Sequence, residues 1–245
     1  MKATEHLTVI MNTWNVKPEW LEAAVMAVYP QVKRLIISCC EGDENAILLN
    51  RMSDELPGVE LCILPKSEQL GKCPQQSFRQ INKAMPMVTT KYVSWTSSDD
   101  LMWEHKYAFE MAAVTKHPHI KVAYSNYTMT DENLNKPRII QLQPYSLEAH
   151  KTGNIVSDLA VWETDLWHEF GGFDCETFRN YSFWDFWLKI AEKYGEQVFT
   201  HLNTTTWFYR QDADSTHIKR RKSPEMQEEA NRDRAAMLMS HGINL

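Results

Sequence analysis

The sequence predicts an α/β fold with a mostly parallel central sheet flanked by helices. Two observations carry this: short apolar runs alternate with helix-period segments over the first hundred residues, and each apolar run ends in polar or turn-forming residues. The runs LTVIMN (7–12), RLIISCC (34–40), VELCILP (59–65) and KYVSW (91–95) have the length and β-branched content of strands. Between them PEWLEAAVMAV (18–28), DENAILLNRMSDEL (43–56) and QQSFRQINKAM (75–85) have helical periodicity, the first with Pro18 at a favoured first-turn position. Strands joined through helices pair in parallel, because a parallel neighbour requires a crossover.

The second half changes character. A helix is expected at about 104–116, a strand at KVAYSN (121–126), a turn at TMTDENLNKP and a strand at RIIQLQP. After NIVSDLAVW (154–162) follow a short helix at ETDLWHEF, a glycine turn at GGFD, a helix near 183–194 and two strands around QVFTHL and TTTWFY. The tail at 223–242 reads as an amphipathic helix. At 245 residues, with no Pro/Ser-rich linker and no dividing charge block, one domain over 1–222 with a helical extension at 223–245 accounts for the chain.

Composition excludes several functions. A net charge of -6 argues against nucleic-acid binding, the basic stretch HIKRRK (217–222) being a local exception. No run approaches the roughly 18 apolar residues of a membrane span, and the N-terminal apolar run, broken by Asn12, is too short for a signal peptide. Five cysteines without CxxC spacing point away from disulfides and structural zinc, so a reducing, cytoplasmic setting is expected.

In parallel sheets ligands bind beyond the carboxyl ends of the strands. Those ends read NTWN, CCEGDEN, SEQLGK and SSDD. Glycine-rich phosphate loops, a GxSxG elbow and HExxH are all absent. A cluster of acids and amides remains, the pattern expected where a hard cation rather than a loop handles phosphate. In SSDD the adjacent Asp99 and Asp100 have three readings: helix cap, cation ligand or acid/base pair.

These fragments, in order, resemble a family-2 glycosyltransferase of the GT-A fold, from about residue 7 to 217. The segments that carry the resemblance are LTVIMNTWN, CCEGDEN, LGK, INKAMPMVTTKYVSW with SSDD, VAYSNYTMTDEN, LAVWETDLWHEFGGFD, FWDFWLKIAEKYG and WFYRQDADSTH. The resemblance implies a nucleotide-binding half at about 1–103 and an acceptor half at about 104–222. It also implies transfer of a sugar from a nucleotide-diphosphate donor, UDP-linked by preference, to a saccharide or lipid-linked acceptor hydroxyl, with inversion and with Mn2+ or Mg2+.

Residue by residue, it implies that Asn12, Thr13, Asn15 and Glu41 meet the nucleotide, Lys72 the phosphates, and Asn82 and Ser98 the donor site. Asp99 stands at the metal position of a DxD-like motif and His217 in a loop that closes over the metal. Cys40 replaces one of the usual acids, and Ser182 and Phe183 occupy the usual Glu-Asp base positions, leaving Asp185 two residues later. Asp185 is thus either the catalytic base or, within SFWD, the acid of a capping box led by Ser182. Asp100 reads as the start of the following helix. The altered base motif motivates an alternative: a GT-A-like binding or scaffold protein without catalysis.

Overall fold

The computed structural model describes residues 3–70, 74–212, 218–219 and 222–243. Strands β1 (Leu7–Asn12), β2 (Arg34–Cys40), β3 (Val59–Leu64) and β4 (Tyr92–Ser97) pair in parallel in the order β3-β2-β1-β4. Helices α1 (Pro18–Val28), α2 (Ala46–Glu55) and α3 (Pro74–Ala84) make the crossovers. Every residue of β1 is buried, because helices cover both faces of the sheet; this is why the strand reads as an unbroken apolar run. Ile10 and Ile36 face one core with Phe78 and Ile81 of α3, while Val9 and Met11 face another with Leu21 and Val25 of α1. Between α2 and β3, Gly58 has φ +88°, and a Cβ there would lie 2.6 Å from the Lys33 carbonyl oxygen, so the return turn requires glycine.

The sheet continues beyond β4 with β8 (Val161–Glu163), β6 (Val122–Asp131), β9 (Phe199–Gln211) and the short β5 (Leu101–Met102), and β7 (Arg138–Ile140) pairs with β6. β8 runs antiparallel to both neighbours, whereas β6 and β9 form a long parallel ladder. The expected pair of strands near the end is therefore one strand. Polar Asn203 and Thr204 look like a turn in sequence, but the structure accommodates them as a register shift opposite Ser125 and Asn126 within β9.

Helix α4 (Lys106–Lys116) starts later than expected, because Leu101 and Met102 pair with Phe208 and Trp207 of β9. Asp100 therefore caps no helix, and its reading as a helix start is corrected. Inside α4, Lys106 and Glu110 form a fully buried ion pair at 2.7 Å; the Ser125 hydroxyl donates to Glu110 at 2.6 Å and lies 2.5 Å from that of Thr206.

Helix α5 (Leu147–Thr152), which the sequence did not announce, is capped by Ser146 Oγ accepting from the Ala149 amide. Helices α6 (Thr164–Phe170) and α7 (Ser182–Tyr194) cover the second half of the sheet, where Trp162, Phe186 and Trp187 are completely buried. The C-terminal helix α8 (Pro224–Ser240) docks on α7 through Met237 and Leu238, packed with Trp184 and Leu188. Among the described residues no helix is long and apolar enough to cross a membrane, and Cys39, Cys40, Cys62 and Cys175 are buried free thiols.

Candidate active site

A cleft of about 660 Å³ opens at the carboxyl ends of β1 and β4. The parallel register sets Asn12 beside Ser97, and the Ser98 amide donates to the Asn12 carbonyl at 3.1 Å, so the ends of two strands form one floor. Asn12, Thr13, Asn15, Ser98 and Asp99 all line it. Asn12 donates to Ser77 at 3.2 Å, but among the described residues its Oδ1 and the Thr13 hydroxyl are buried without a partner. Unpaired buried polar atoms at a cleft floor are costly unless something binds there.

Asn15 sits in the left-handed region at φ +47°, which asparagine tolerates. Its amide donates to Asp43 at 3.2 Å and its Oδ1 accepts from the Glu44 amide at 2.9 Å, joining the loops after β1 and β2. Glu41 lies outside the main cleft, beside a smaller hollow with Cys40 and Asp43, and its carboxylate accepts from the Lys66 amide at 2.9 Å. Burial, then the Asp43 charge, pushes the Cys40 thiol up to about 11, so it is neutral and accepts from Gln76 at 3.3 Å.

The acids gather at the other end of the floor. The Ser97 hydroxyl donates to Asp99, and burial raises the Asp99 carboxyl, opposed by that hydrogen bond and reinforced by the charge of Asp212. Asp100 is buried and accepts from the Arg210 amide at 3.0 Å; burial and the Asp99 charge hold its pKa well above the usual carboxylate range. The Arg210 guanidinium donates to the carbonyls of Asp99 at 2.8 Å and Glu132 at 2.5 Å and stacks on Trp20, so it braces the acidic turn.

The geometry admits a hard cation. Asp99 and Asp212 both line the cleft, the Asp212 charge raises the Asp99 carboxyl, and among the described residues Asp212 Oδ1 is buried without a hydrogen-bond partner. Two carboxylates suit Mg2+ or Mn2+ when substrate phosphates complete the shell. Among the described residues no cluster of three or more His, Cys, Asp or Glu side chains is arranged to hold a metal by itself.

Other expected residues stand elsewhere. Asn82 does not line the cleft; its Oδ1 accepts from Trp167 Nε1 and the Phe173 amide, both at 3.1 Å, and its Nδ2 donates to the Phe173 carbonyl at 2.8 Å. It ties α3 to the glycine turn, where a Cβ on Gly172 would meet the Trp167 ring at 2.8 Å.

Asp185 is buried away from the cleft, with one oxygen 3.0 Å from His241 Nε2 and the other 2.7 Å from Lys189. No capping box forms at α7: the Ser182 hydroxyl donates to the carbonyls of Asp174 and Phe178, and Tyr181 holds the cap position. At the expected base position Phe183 packs into the core, stacked on Trp95 at 5.1 Å. Lys72 and His217 lie outside the described residues.

Sequence reasoning passed over Asp158, Asn154 and Asp212 and the aromatic lining of Trp14, Trp20, Trp95, Tyr127, Trp207 and Tyr209. Trp162, Trp184 and Trp187, by contrast, are buried in the core. The available signal for Asp158 was a lone acid within the otherwise apolar NIVSDLAVW.

No family model matches the chain, and no curated protein matches it. Solved structures do. The 1–349 fragment of S. aureus TarS superposes with a TM-score of 0.64 at 14% identity, covering 94% of this chain and 64% of that one. Its complex with UDP gives 0.65 at 14% identity over the same shares. Mannosyltransferase PcManGT from Pyrobaculum calidifontis, in complex with GDP-Man and Mn2+, gives 0.55 at 13% identity, covering 95% of this chain and 69% of that one. This chain thus spans less than two thirds of the TarS fragment. With the sheet order and the cleft at the ends of β1 and β4, these likenesses identify the fold as that of the GT-A glycosyltransferases.

Proposed function

We propose that the protein is a glycosyltransferase that moves a hexose from a nucleotide-diphosphate donor, UDP-linked by preference, to a hydroxyl of a saccharide or lipid-linked acceptor, with inversion and with Mn2+ or Mg2+. The observation that carries this reading is the cleft itself: unpartnered amide and hydroxyl oxygens of Asn12 and Thr13 at one end, and the mutually repelling Asp99 and Asp212 at the other. A nucleoside diphosphate with a divalent cation satisfies both ends at once. A bound cation would offset the charge growing on the leaving diphosphate as a Lewis acid. Asp99 and Asp212 would hold it, and Ser97 and Arg210 orient Asp99. The neutral amides of Gln76 and Gln80, the latter bonded to the Thr13 carbonyl, line that end of the cleft without adding charge.

The buried Phe183 favours a second reading, a GT-A-like binding module without turnover. One experiment separates them: measure binding and slow hydrolysis of UDP-glucose, UDP-GlcNAc and GDP-mannose with Mn2+. Expected is metal-dependent binding with hydrolysis, lost by roughly 100-fold or more in Asp99→Asn. Binding without hydrolysis selects the inactive module, and no binding to any donor removes both readings.

A further inference from the structure

The carboxylates that line the cleft are Asp99, Asp100, Asp158 and Asp212. Asp100 is occupied by the Arg210 amide, and Asp99 feels the charge of Asp212. Asp158 has a different setting. It lies open to the cleft, and among the described residues its carboxylate has one hydrogen-bond partner, Asn154 Nδ2 at 2.9 Å. The Asn154 amide is itself oriented, because its Oδ1 accepts from the Val156 amide at 3.2 Å, which turns the Nδ2 toward Asp158.

The backbone of Asp158 is tied to the strand that leads to Asp99. Trp95 Nε1 donates to the Asp158 carbonyl at 2.5 Å, and the Ser94 hydroxyl donates to the Leu159 carbonyl at 3.2 Å. Trp95 lies in β4 and Asp99 in the turn that follows it, and Trp95, Asp99 and Asp158 all line the one cleft. Tyr127 and Tyr209 line the same cleft: burial raises both, and the charges of Asp158 and Asp100 raise Tyr127 further, as those of Asp100, Asp99 and Asp158 raise Tyr209. The two acids therefore face one space.

We propose that Asp158 is the catalytic base of this cleft, positioned by Asn154 and Trp95. The assignment rests on the nucleotide-sugar reading above. The Asp158 carboxylate takes the proton of the acceptor hydroxyl as that oxygen bonds to the anomeric carbon. The bond from that carbon to the diphosphate oxygen breaks, and its electron pair leaves with the diphosphate. The crowding of the cleft walls pushes the Asp158 carboxyl up to about 6, with the Asn154 hydrogen bond opposing, which suits proton transfer near neutral pH. Phe183 contributes indirectly, since its ring stacks on Trp95 and fixes the indole that holds Asp158.

The test uses the intact protein with Mn2+ and the donors UDP-glucose, UDP-GlcNAc and GDP-mannose. Donor binding is measured by calorimetry and nucleoside diphosphate release from pH 5 to 8, with water and then azide as nucleophile. Asp158→Asn is expected to keep donor affinity and to lose no thermal stability, to lower hydrolysis by roughly 100-fold or more, and to lose the acid limb near pH 6. Azide, which has no proton to give up, is expected to restore release. Asn154→Ala, lacking the bond that lowers the Asp158 pKa, is expected to move the acid limb to higher pH. Turnover by Asp158→Asn at the wild-type rate, loss of donor binding in that variant, or a wild-type protein that binds donor without releasing diphosphate each overturns the assignment while leaving the nucleotide-sugar binding of the wild-type protein in place. A wild-type protein that binds none of the donors overturns the underlying reading and the assignment with it.

Discussion

Two buried polar regions of this molecule are built to opposite rules. Under α4, Lys106, Glu110, Ser125 and Thr206 form a closed network in which the ion pair is fully buried and each charge is matched. In the cleft, Asn12, Thr13 and Asp212 carry unpartnered atoms, and Asp99 and Asp212 repel each other. The first arrangement is complete within the protein and serves the fold. The second is completed by something from outside. Pairing with an opposite charge therefore distinguishes structural from functional acids more sharply than residue type does. Asp185 makes the point: it was a candidate base by position, yet it is engaged on both sides by His241 and Lys189.

The largest expected effect on stability lies in the closed network. Glu110→Gln leaves Lys106 buried without its counter-charge, and breaking such a pair costs about 3–5 kcal/mol. Urea unfolding should show this loss with donor binding intact where folded protein remains. A loss below about 1 kcal/mol would mean that the network is no more closed than the cleft.

The latch between α7 and α8 comes next. His241 Nε2 and Nδ1 both point at carboxylates, of Asp185 at 3.0 Å and Glu192 at 2.8 Å, so both nitrogens donate and the ring is charged. Burial lowers the His241 pKa, but the bonds to Asp185 and Glu192 outweigh it and the net shift is upward. A raised histidine stabilises fully below the unfolded value near 6.5, and the gain disappears as pH rises through the folded value.

The other groups facing it are Lys189, paired with Asp185, and His150, which burial lowers to about 3. His150 is held neutral, so it opposes folding as pH falls below about 6.5. Asp185→Asn is expected to cost about 1–3 kcal/mol at pH 6 and less at pH 8, measured by urea titration at both values. Equal cost at both pH values would remove His241 from the account.

The smallest effect concerns the open region. The Asp158 carboxyl has a folded pKa raised to about 6, so its charged form opposes folding once pH exceeds the unfolded value near 3.9. Asp158→Asn should give a small rise in Tm at pH 7 that vanishes at pH 4, read by calorimetry. A fall in Tm at pH 7 would mean that Asp158 belongs with the structural acids.

Much of the fold was legible in sequence because its signals are local. β1, β2 and α1 span the expected residues, since a strand covered on both faces must be apolar throughout and a helix with Pro18 in its first turn is marked at its start. The floor residues Asn12, Thr13, Ser98 and Asp99 were also legible, because the ends of parallel strands converge. The places of Asn82 and Asp185 away from the cleft were not legible for a different reason: both carry chemistry-bearing groups, but their partners, Phe173 and His241, are 91 and 56 residues away.

By itself, the sequence determined the order of helices and strands in the first half of the chain, the parallel half of the sheet and the acidic strand end. These depend on periodicity and turn chemistry within a few residues. Only the tertiary structure decided which acids are spent and which are free. Asp100 is engaged by Arg210, Asp185 by His241, and Asp158 is carried into the cleft by Trp95. The pKa and role of a carboxylate depend on the burial and partners that chain folding brings to it, and those partners come from distant parts of the chain.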